Sequence, residues 1–300
     1  MQKDIIFKLD KEDFFSRFPK KAEDAHKGSN GKILIVTGGW GMAGAACLNI
    51  LGARSIGVGY ILAAIPENIY SIVASSNITP VYYPYDFGKG PKTVRDLMKK
   101  TSSSENLSGR IRAVSFGSGA VNLAGKYEIF NILAESCGSV LVLDAEALNI
   151  MKETDNISFN KGTSRPVIIT PHYGEFSHLT GITISDIKND PLSAAQKFSE
   201  ENNLITVLKG PETVAASPDG RYYINHTGNQ GLAQAGSGDV LTGIITAMCS
   251  FIEDPFEAAC MGVFAHGMAA DELCRTHARQ TMPLEDIPQA MDRLFFENGF

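Results

Sequence analysis

The chain has 300 residues, of which 44% are hydrophobic and 20% charged, ordinary values for a globular protein with a sizeable core. Its formal net charge of −6 argues against a nucleic-acid-binding protein, which would usually carry a basic face. The longest apolar stretch, residues 56–65, is too short to span a membrane, and no signal peptide is recognised. The five scattered cysteines predict reduced thiols and a cytoplasmic location.

The N-terminal part of the chain predicts a short extension followed by a strand–helix–strand unit. Residues 1–25 are interpreted as a helical extension, in which Phe14, Phe15 and Phe18 suit a short helix ended by Pro19. Residues 32–37 are rich in β-branched side chains and predict a buried parallel strand, and residues 60–65 predict the next one. A helix is expected between these two strands, opened by a glycine-rich turn.

That glycine-rich turn matches the dinucleotide-binding fingerprint. Gly39-x-Gly41-x-x-Gly44 lies between a predicted strand and a predicted helix, and Glu67 stands near the position of the acidic residue that binds ribose. A Rossmann oxidoreductase therefore stays open as an alternative. Two observations weigh against it: Gly38 precedes the fingerprint, and the richest phosphate-binding signal lies much further along the chain.

The middle of the chain continues the alternation of strands and helices. Strands are predicted over residues 81–85, 111–116, 140–143, 166–170 and 204–208, and helical segments over 70–76, 126–134 and 194–203, with a polar helix and loop over 90–107. Gly117-Ser118-Gly119 follows one strand and is either a ligand loop or a simple turn. Asp144 follows the strand over residues 140–143. It is either a site acid or the cap of the next helix, and the cap is the favoured interpretation. The alternation predicts one α/β domain with a mostly parallel sheet.

Two further loops follow strands and carry candidate ligands. In Pro171-His172-Tyr173-Gly174-Glu175-Phe176, His172 and Glu175 are expected to face the cleft from a loop bounded by proline and glycine. Lys209-Gly210-Pro211-Glu212-Thr213 suits a phosphate or an adenosine ribose. A hairpin over residues 214–224 and two C-terminal helices over 256–276 and 284–295 complete the predicted elements.

The chemistry of the chain is concentrated between Gly228 and Asp239. This glycine-rich stretch runs into apolar residues at helical spacing, so it predicts a loop that leads into the N-terminus of a buried helix. The backbone N–H groups of such a loop, together with the positive end of the helix, bind anions. Asp239 would repel a phosphate unless it faces a hydroxyl that loses its proton as a phosphoryl group arrives. The alternative is an Asp that only caps the N-terminus of the helix or provides negative charge there. The spacing does not decide between this role and that of a base.

Four motifs in this order resemble one family. They are His26-Lys27-Gly28, Thr170-Pro171-His172-x-Gly174-Glu175-Phe176, Leu208-Lys209-Gly210-x-x-Thr213 and Gly228-Asn229-x-Gly231-x-x-x-x-Gly236-x-Gly238-Asp239-x-Leu241-Thr242-Gly243. The sequence from residue 26 onward resembles the ADP- or ATP-dependent NAD(P)H-hydrate dehydratases of the ribokinase-like superfamily. The resemblance implies a ribokinase-like α/β fold, with a mostly parallel sheet flanked by helices on both faces, in a single domain over residues 1–300. It implies the monofunctional form, because the short N-terminal stretch leaves no room for the epimerase domain of bifunctional members.

The resemblance also implies the reaction. The substrate would be the (6S) hydrate of NADH or NADPH, and ADP or ATP with Mg²⁺ would donate a phosphoryl group to its C6 hydroxyl, with ADP favoured. Asp239 would take the hydroxyl proton, and phosphate would then leave to restore the dihydronicotinamide. Backbone N–H groups of Ala235, Gly236, Ser237 and Gly238 would form the anion hole. An Asp at a helix start is expected to be a weak base, because the helix dipole lowers its pKa further.

Residue by residue, the resemblance assigns the remaining binding roles. Lys209, Gly210, Pro211, Glu212, Thr213 and Gly238 would bind the adenine nucleotide; Ala45, Gly119, His172 and Asp239 would bind the hydrate; and Glu175 would hold magnesium through water. The sequence departs from the family at Tyr173, where Pro is common, and at Ser237, where Thr is usual. The first departure can change the pocket wall, whereas the second keeps a hydroxyl.

Bacterial members imply a homotetramer. The alternatives are a ribokinase-like kinase whose product stays phosphorylated and a nucleotide-sensing protein without turnover.

Overall fold

Buried strands alternate with helices through most of the chain, as the sequence pattern predicts. The computed structural model describes residues 5–25, 28–86, 88–102, 110–136, 139–157 and 159–300. Its strands are β1 (Ile5–Ile6), β2 (Lys32–Val36), β3 (Tyr60–Pro66), β4 (Val81–Tyr85), β5 (Ala113–Phe116), β6 (Val140–Leu143), β7 (Val167–Ile169), β8 (Ile205–Leu208), β9 (Val214–Ala216) and β10 (Arg221–Ile224). His26 and Lys27 of the first motif, and the end of the polar helix and loop predicted over residues 90–107, lie outside the described residues.

Helices cover both faces of the sheet. They are α1 (Lys11–Arg17), α2 (Ala43–Ser55), α3 (Glu67–Ser76), α4 (Gly90–Ser102), α5 (Lys126–Ser136), α6 (Glu146–Glu153), α7 (Tyr173–Thr180), α8 (Ile184–Asn189), α9 (Pro191–Asn202), α10 (Ser237–Phe251), α11 (Pro255–Leu273) and α12 (Ile287–Glu297). Within the described ranges, no helix combines the length and apolar character that a membrane span requires.

All ten of these strands belong to one sheet, in the order β1-β10-β9-β8-β7-β6-β5-β2-β3-β4. The seven neighbouring strands β8-β7-β6-β5-β2-β3-β4 are parallel to one another, whereas β9 pairs antiparallel with both β8 and β10. The hairpin predicted over residues 214–224 is confirmed by the β9–β10 pair. The strand order reverses between β2 and β5, and open α/β sheets bind ligands beyond the carboxyl ends of the strands at such a point.

The two faces of the sheet bury two separate cores. Along β2, Ile33 and Ile35 point into the core shared with α1, α2, α3, α10, α11 and α12, whereas Leu34 and Val36 point into the core shared with α4 to α9. Successive strand residues face opposite sides of a sheet. Because both sides are covered, β2 is a continuous apolar run rather than an alternating one.

Helices α2 and α10 are in backbone contact. A Cβ atom on Gly52 of α2 would lie 2.1 Å from the carbonyl oxygen of Val240, and a Cβ on Gly243 of α10 would lie 1.9 Å from the carbonyl oxygen of Asn49. Only glycine fits at both positions, so these two residues set the distance between the helices. The N-terminal turn of α10 is thereby held against α2.

The N-terminal extension contains a strand as well as the predicted helix. Ile5 pairs with Arg221 at the edge of the sheet. Helix α1 begins with a capping box, in which the backbone N–H of Asp13 donates to Asp10 Oδ1 at 2.8 Å. The short helix predicted before Pro19 is present, and the two-residue edge strand is an addition that carries too little pattern to be recognised.

Candidate active site

The loops after β2 and β5 meet where the strand order reverses. The backbone N–H of Gly38 donates to the carbonyl oxygen of Ser118 at 2.9 Å, and Thr37 Oγ1 donates to the same oxygen at 2.8 Å. Gly119 has a φ of +66° and packs on α2, where an added Cβ would lie 2.8 Å from Ala45 Cβ. The structure thus brings Ala45 and Gly119, both predicted to bind the hydrate, together at one side of the crevice.

A buried carboxylate, Asp144, lies at the centre of this edge. Its side chain is 3% exposed, and Oδ1 accepts hydrogen bonds from Lys209 Nζ at 2.9 Å and Thr170 Oγ1 at 2.7 Å. Its Oδ2 accepts from Ser118 Oγ at 3.2 Å. The interpretation of Asp144 as a helix cap is wrong, because Ala145 is the N-cap of α6 and the carboxylate turns to these donors instead. Asp144 therefore belongs to the charged cluster at this edge of the sheet.

Lys209 links the carboxylates of the site. Its Nζ atom lies 2.9 Å from Asp144 Oδ1 and 3.8 Å from Glu175 Oε2, and its side chain is 17% exposed. Burial alone would lower the pKa of Lys209, but the charges of Asp144 and Glu175 outweigh burial and raise it. Lys209 is therefore a permanent cation in a cluster that carries more negative than positive side chains.

His172 and Glu175 lie at the start of a helix rather than in an open loop. His172 Nδ1 accepts hydrogen bonds from the backbone N–H groups of Gly174 and Glu175 at 3.0 and 3.1 Å, and Glu175 Oε2 accepts from the backbone N–H of His172 at 2.8 Å. This reciprocal arrangement is a capping box and begins α7 at Tyr173. The predicted loop is therefore wrong, but Glu175 still reaches the charged cluster, and the 59%-exposed side chain of His172 lies at the rim.

Asp239 lies in the first turn of α10. Gly236 is the N-cap residue, with a φ of +94° that favours glycine, and it provides no side-chain cap. N–H groups in the first turn of a helix lack acceptors within the helix, and the dipole makes this end positive. Of the predicted anion-hole groups, the N–H of Ser237 donates to the carbonyl oxygen of Gln234 at 3.3 Å. Gly238 lies beside Lys209, whose Nζ would be 3.1 Å from an added Cβ.

The surroundings of Asp239 make it a stronger base than its position in the helix suggests. Burial raises the pKa of Asp239 from 3.8 to about 7, with a further increase from the negative charge of Asp144. The nearby hydroxyl of Ser118 and the charge of Lys209 act in the opposite direction and lower this pKa. The expectation of a weak base with a lowered pKa is therefore wrong, because burial and a neighbouring carboxylate outweigh the dipole. A pKa near neutrality suits a general base.

The turn from Lys209 to Thr213 continues the site beyond β8. The backbone N–H of Lys209 donates to the carbonyl oxygen of Pro171 at 2.8 Å, which joins this turn to the start of α7. The ring of Tyr173 covers Gly210, where an added Cβ would lie 2.3 Å from the phenolic oxygen. Residues Pro211 and Glu212 of the turn are exposed. Tyr173, one of the two departures from the family pattern, thus forms a wall over the predicted nucleotide turn.

Sequence reasoning missed two members of the hydrogen-bond network. Ser118 and Thr170 both stand within motifs quoted above, yet neither was assigned a role. Each follows a buried strand at the carboxyl edge and is itself buried, and each donates its hydroxyl to Asp144. A polar residue within two positions of the end of an apolar strand is the signal that would have identified both.

Comparison with solved structures identifies the fold class. A ribokinase-like superfamily protein from Enterococcus faecalis superimposes with a TM-score of 0.81 at 19% identity, covering 98% of this chain and 96% of that chain. The crystal structure of the ADP/ATP-dependent NAD(P)H-hydrate dehydratase from Bacillus subtilis, co-crystallised with ATP and Mg²⁺, gives a TM-score of 0.82 at 28% identity, covering 96% and 97%. The predicted ribokinase-like fold is confirmed.

Residues 33–293 match the NAD(P)H-hydrate dehydratase family, and the chain belongs to that family. The ADP-dependent (S)-NAD(P)H-hydrate dehydratase of Bacillus subtilis is 31% identical over 278 residues, which are 92% of this chain and 93% of that protein. The bifunctional NAD(P)H-hydrate repair enzyme of Moorella thermoacetica is 32% identical over 274 residues, and the chain covers 50% of its length. The predicted family is confirmed, and the residue assignments within the site stay predictions.

Proposed function

We propose that this chain restores NADH or NADPH from the (6S) hydrate, using an adenine nucleotide to phosphorylate the C6 hydroxyl and then eliminating phosphate. The observation that carries this proposal is the carboxyl group of Asp239, whose pKa is about 7, in the first turn of α10. Such a base can accept a hydroxyl proton at neutral pH. The helix end beside it offers N–H groups that suit a phosphoryl group.

Asp239 would act while the hydrate oxygen attacks the terminal phosphorus of the nucleotide. The proton of the C6 hydroxyl passes to the carboxylate, a new oxygen–phosphorus bond forms, and the bond between that phosphorus and the bridging oxygen breaks. The lone pair of the ring nitrogen then expels phosphate from C6, and loss of a proton from C5 restores the double bond. Phosphoryl transfer depends mainly on positioning and on stabilisation of charge, which the residues around Asp239 can provide.

The negative charge of the cluster supports the use of Mg²⁺. Three carboxylates, those of Asp144, Glu175 and Asp239, lie around the ammonium group of Lys209, and the phosphates of a nucleotide would add further negative charge. Mg²⁺ is usually held by one or two carboxylates together with phosphates and water. Asp144 already accepts hydrogen bonds from three side chains, so Glu175 is the residue that fits a water-mediated contact better. When bound, the ion would neutralise charge on the nucleotide.

The direct test is incubation with NADH hydrate, Mg²⁺ and either ADP or ATP, following the absorbance of dihydronicotinamide and free phosphate in the same sample. We expect both signals to rise together in equal amounts. A ribokinase-like kinase would instead accumulate a stable phosphoester, with no gain in absorbance. A protein that only senses nucleotides would give neither signal. The bacterial relatives named ADP-dependent support ADP as the better donor.

We also propose a homotetramer in the cytoplasm and a single domain over residues 1–300. Four cysteines of the described chain, Cys47, Cys249, Cys260 and Cys274, are free thiols, which supports a reducing compartment. The inclusion of every described strand in one sheet supports a single domain. Sedimentation velocity tests the tetramer, and a single cooperative unfolding transition tests the domain assignment.

A further inference from the structure

A cavity of about 320 Å³ lies beyond the carboxyl ends of β3 and β4, separate from the Asp239 cluster. One wall is formed by Pro66, Glu67, Tyr85 and Asp86, and the other by Trp40 and Asn122. We call it the Trp40 cavity. Its volume is at the lower end of the range for small-molecule sites, about 300–1,000 Å³, and suits one half of a dinucleotide.

Trp40 provides a stacking surface at this cavity. Trp40, the only tryptophan of the chain, is 67% exposed. The loop that carries it is held by Asn122, whose Nδ2 donates to the carbonyl oxygen of Trp40 at 3.2 Å. An exposed indole ring at the edge of a cavity is a good partner for a base, because every nucleobase presents a π-face.

The loop between β2 and α2 carries Trp40 and is called the Trp40 loop. It connects the cavity to the Asp239 cluster. An added Cβ on Gly39 would lie 3.0 Å from the carbonyl oxygen of Gly119, so the loop begins at the predicted nicotinamide pocket and ends at the cavity. Three strand spacings separate β5 from β4, which is about 14 Å. A ligand with its nicotinamide at Gly119 would reach the cavity with its other half. The turn after β8, which is predicted to bind the adenine nucleotide, lies on the opposite side of β5. The nucleotide that donates the phosphoryl group therefore does not need this cavity.

The walls of the Trp40 cavity are acidic. Glu67 and Asp86 both line it, and none of its described lining residues is a lysine or an arginine. Asp86 forms an ion pair with Lys89 at 3.2 Å, but both side chains are more than half exposed, so the pair screens little. A carboxylate accepts hydrogen bonds from the hydroxyls of an adenosine ribose, as in dinucleotide-binding folds, whereas it repels a 2′-phosphate that carries nearly two negative charges.

We propose that the Trp40 cavity binds the adenosine half of the dinucleotide hydrate, and that Glu67 and Asp86 make the chain prefer NADH hydrate to NADPH hydrate. This inference rests on the proposed function, since it assigns the second half of the same substrate. It gives roles to the exposed tryptophan and to the acidic residue near the dinucleotide fingerprint.

Fluorescence of Trp40 tests binding without any turnover. NADH and NADPH serve as stable probes, added in the presence of saturating ADP and Mg²⁺ so that the donor site is already filled. We expect ADP alone to leave the emission unchanged, NADH to quench it, and NADPH to require at least tenfold higher concentration. Emission that does not respond to NADH, or equal affinities for the two dinucleotides, would overturn the proposal. Because no hydrate is turned over, this result is independent of whether the chain is a dehydratase.

Substitution of Glu67 tests the specificity. In Glu67→Gln, the ratio of kcat/KM for NADH hydrate over NADPH hydrate should fall at least fivefold, with the KM for ADP unchanged. Glu128→Gln, which removes an exposed acid of α5, is the matched control and should keep the wild-type ratio. If Glu67→Gln is active and its ratio is unchanged, the result contradicts the role of the acidic wall in choosing between the two hydrates. It does not contradict the binding of adenosine in the cavity. Absence of activity in the wild-type enzyme contradicts the proposed dehydration, and the fluorescence titration then still decides the occupant of the cavity.

Discussion

Ionisation of Asp239 is opposed by its surroundings, so removing its charge should stabilise the fold. Burial, followed by the charge of Asp144, raises the pKa from 3.8 to about 7. A shift of about three units corresponds to roughly 4 kcal/mol at neutral pH and above, since each unit is worth 1.36 kcal/mol. Asp239→Asn keeps the shape of the side chain and removes the charge. Because Asp239 is only partly buried, part of this energy is lost to solvent screening. We expect the free energy of unfolding of the Asp239→Asn protein at pH 8 to exceed that of the wild type by roughly 2–4 kcal/mol.

The pH dependence of this gain identifies its cause. With a folded-state pKa of about 7, Asp239 holds a proton that the unfolded chain releases from about pH 4 upward. Wild-type stability is therefore lost as the pH rises between these two values. The advantage of Asp239→Asn should be near zero at about pH 4, grow up to about pH 7 and stay constant above it. At about 2 °C per kcal/mol for a chain of this size, the midpoint of thermal unfolding at pH 8 should rise by about 4–8 °C.

Activity of the same variant should fall while its stability rises. Loss of a general base lowers turnover by about 10²–10⁴-fold, and binding of ADP, measured by calorimetry, should survive. Asp292→Asn, which removes an exposed acid of α12, is the matched control and should change stability by less than about 0.5 kcal/mol. An Asp239→Asn protein that is less stable than the wild type at pH 8, or a gain that is the same at every pH, would refute the reasoning. Near-normal turnover would refute the assignment of the base.

Three further predictions follow from the same contacts. The kcat of the wild type should fall about tenfold per pH unit below pH 7 and stay level above it, because Asp239 must be ionised to accept a proton. Lys209→Met should lower the free energy of unfolding by about 3–5 kcal/mol in urea titrations, because it leaves the buried Asp144 without its cation. Gly243→Ala should cost about 3 kcal/mol or more in the same assay, because its Cβ would overlap the carbonyl oxygen of Asn49 and separate α2 from α10.

Each of these predictions has a control. A kcat that is flat from pH 5 to pH 8 would contradict the titration of Asp239. Lys197→Met removes an exposed lysine of α9 and should be nearly neutral, so equal losses in the two lysine variants would contradict the pair with Asp144. Gly44→Ala places a Cβ into open space in the first turn of α2 and should not destabilise the protein.

Much of the fold could be predicted from the sequence, because each central strand is a short apolar run bounded by turn residues. The positions of the sheet strands other than β1, and of most helices, follow from this local pattern. The order of the strands does not, since it depends on which faces the helices cover. The anion-binding start of α10 was predictable because glycines and a following helical repeat are neighbours in sequence.

The parts of the site that sequence reasoning misjudged depend on distant neighbours. Asp144 was interpreted as a cap because an Asp before a helix usually is one, whereas its partner Lys209 begins a turn 65 residues away in sequence. The basicity of Asp239 was underestimated for the same reason, since the dipole is a local property and burial is not. The capping box of His172 and Glu175 was overlooked because serine, threonine, aspartate and asparagine are the usual residues at its first position.

The backbone contact between α2 and α10 has a consequence for the reaction cycle. Helix α2 follows the Trp40 loop and carries Ala45, and α10 carries Asp239, so the close packing at two glycines holds Asp239 against the Ala45 side of the proposed hydrate pocket. Neither can swing away to admit a substrate without breaking main-chain packing. We therefore expect opening and closing during turnover to come from the Tyr173 and Lys209 side of the crevice. The rate of product release would then depend on movement of the nucleotide-binding half of the site. Asp239 and Ala45 would keep their relative position throughout.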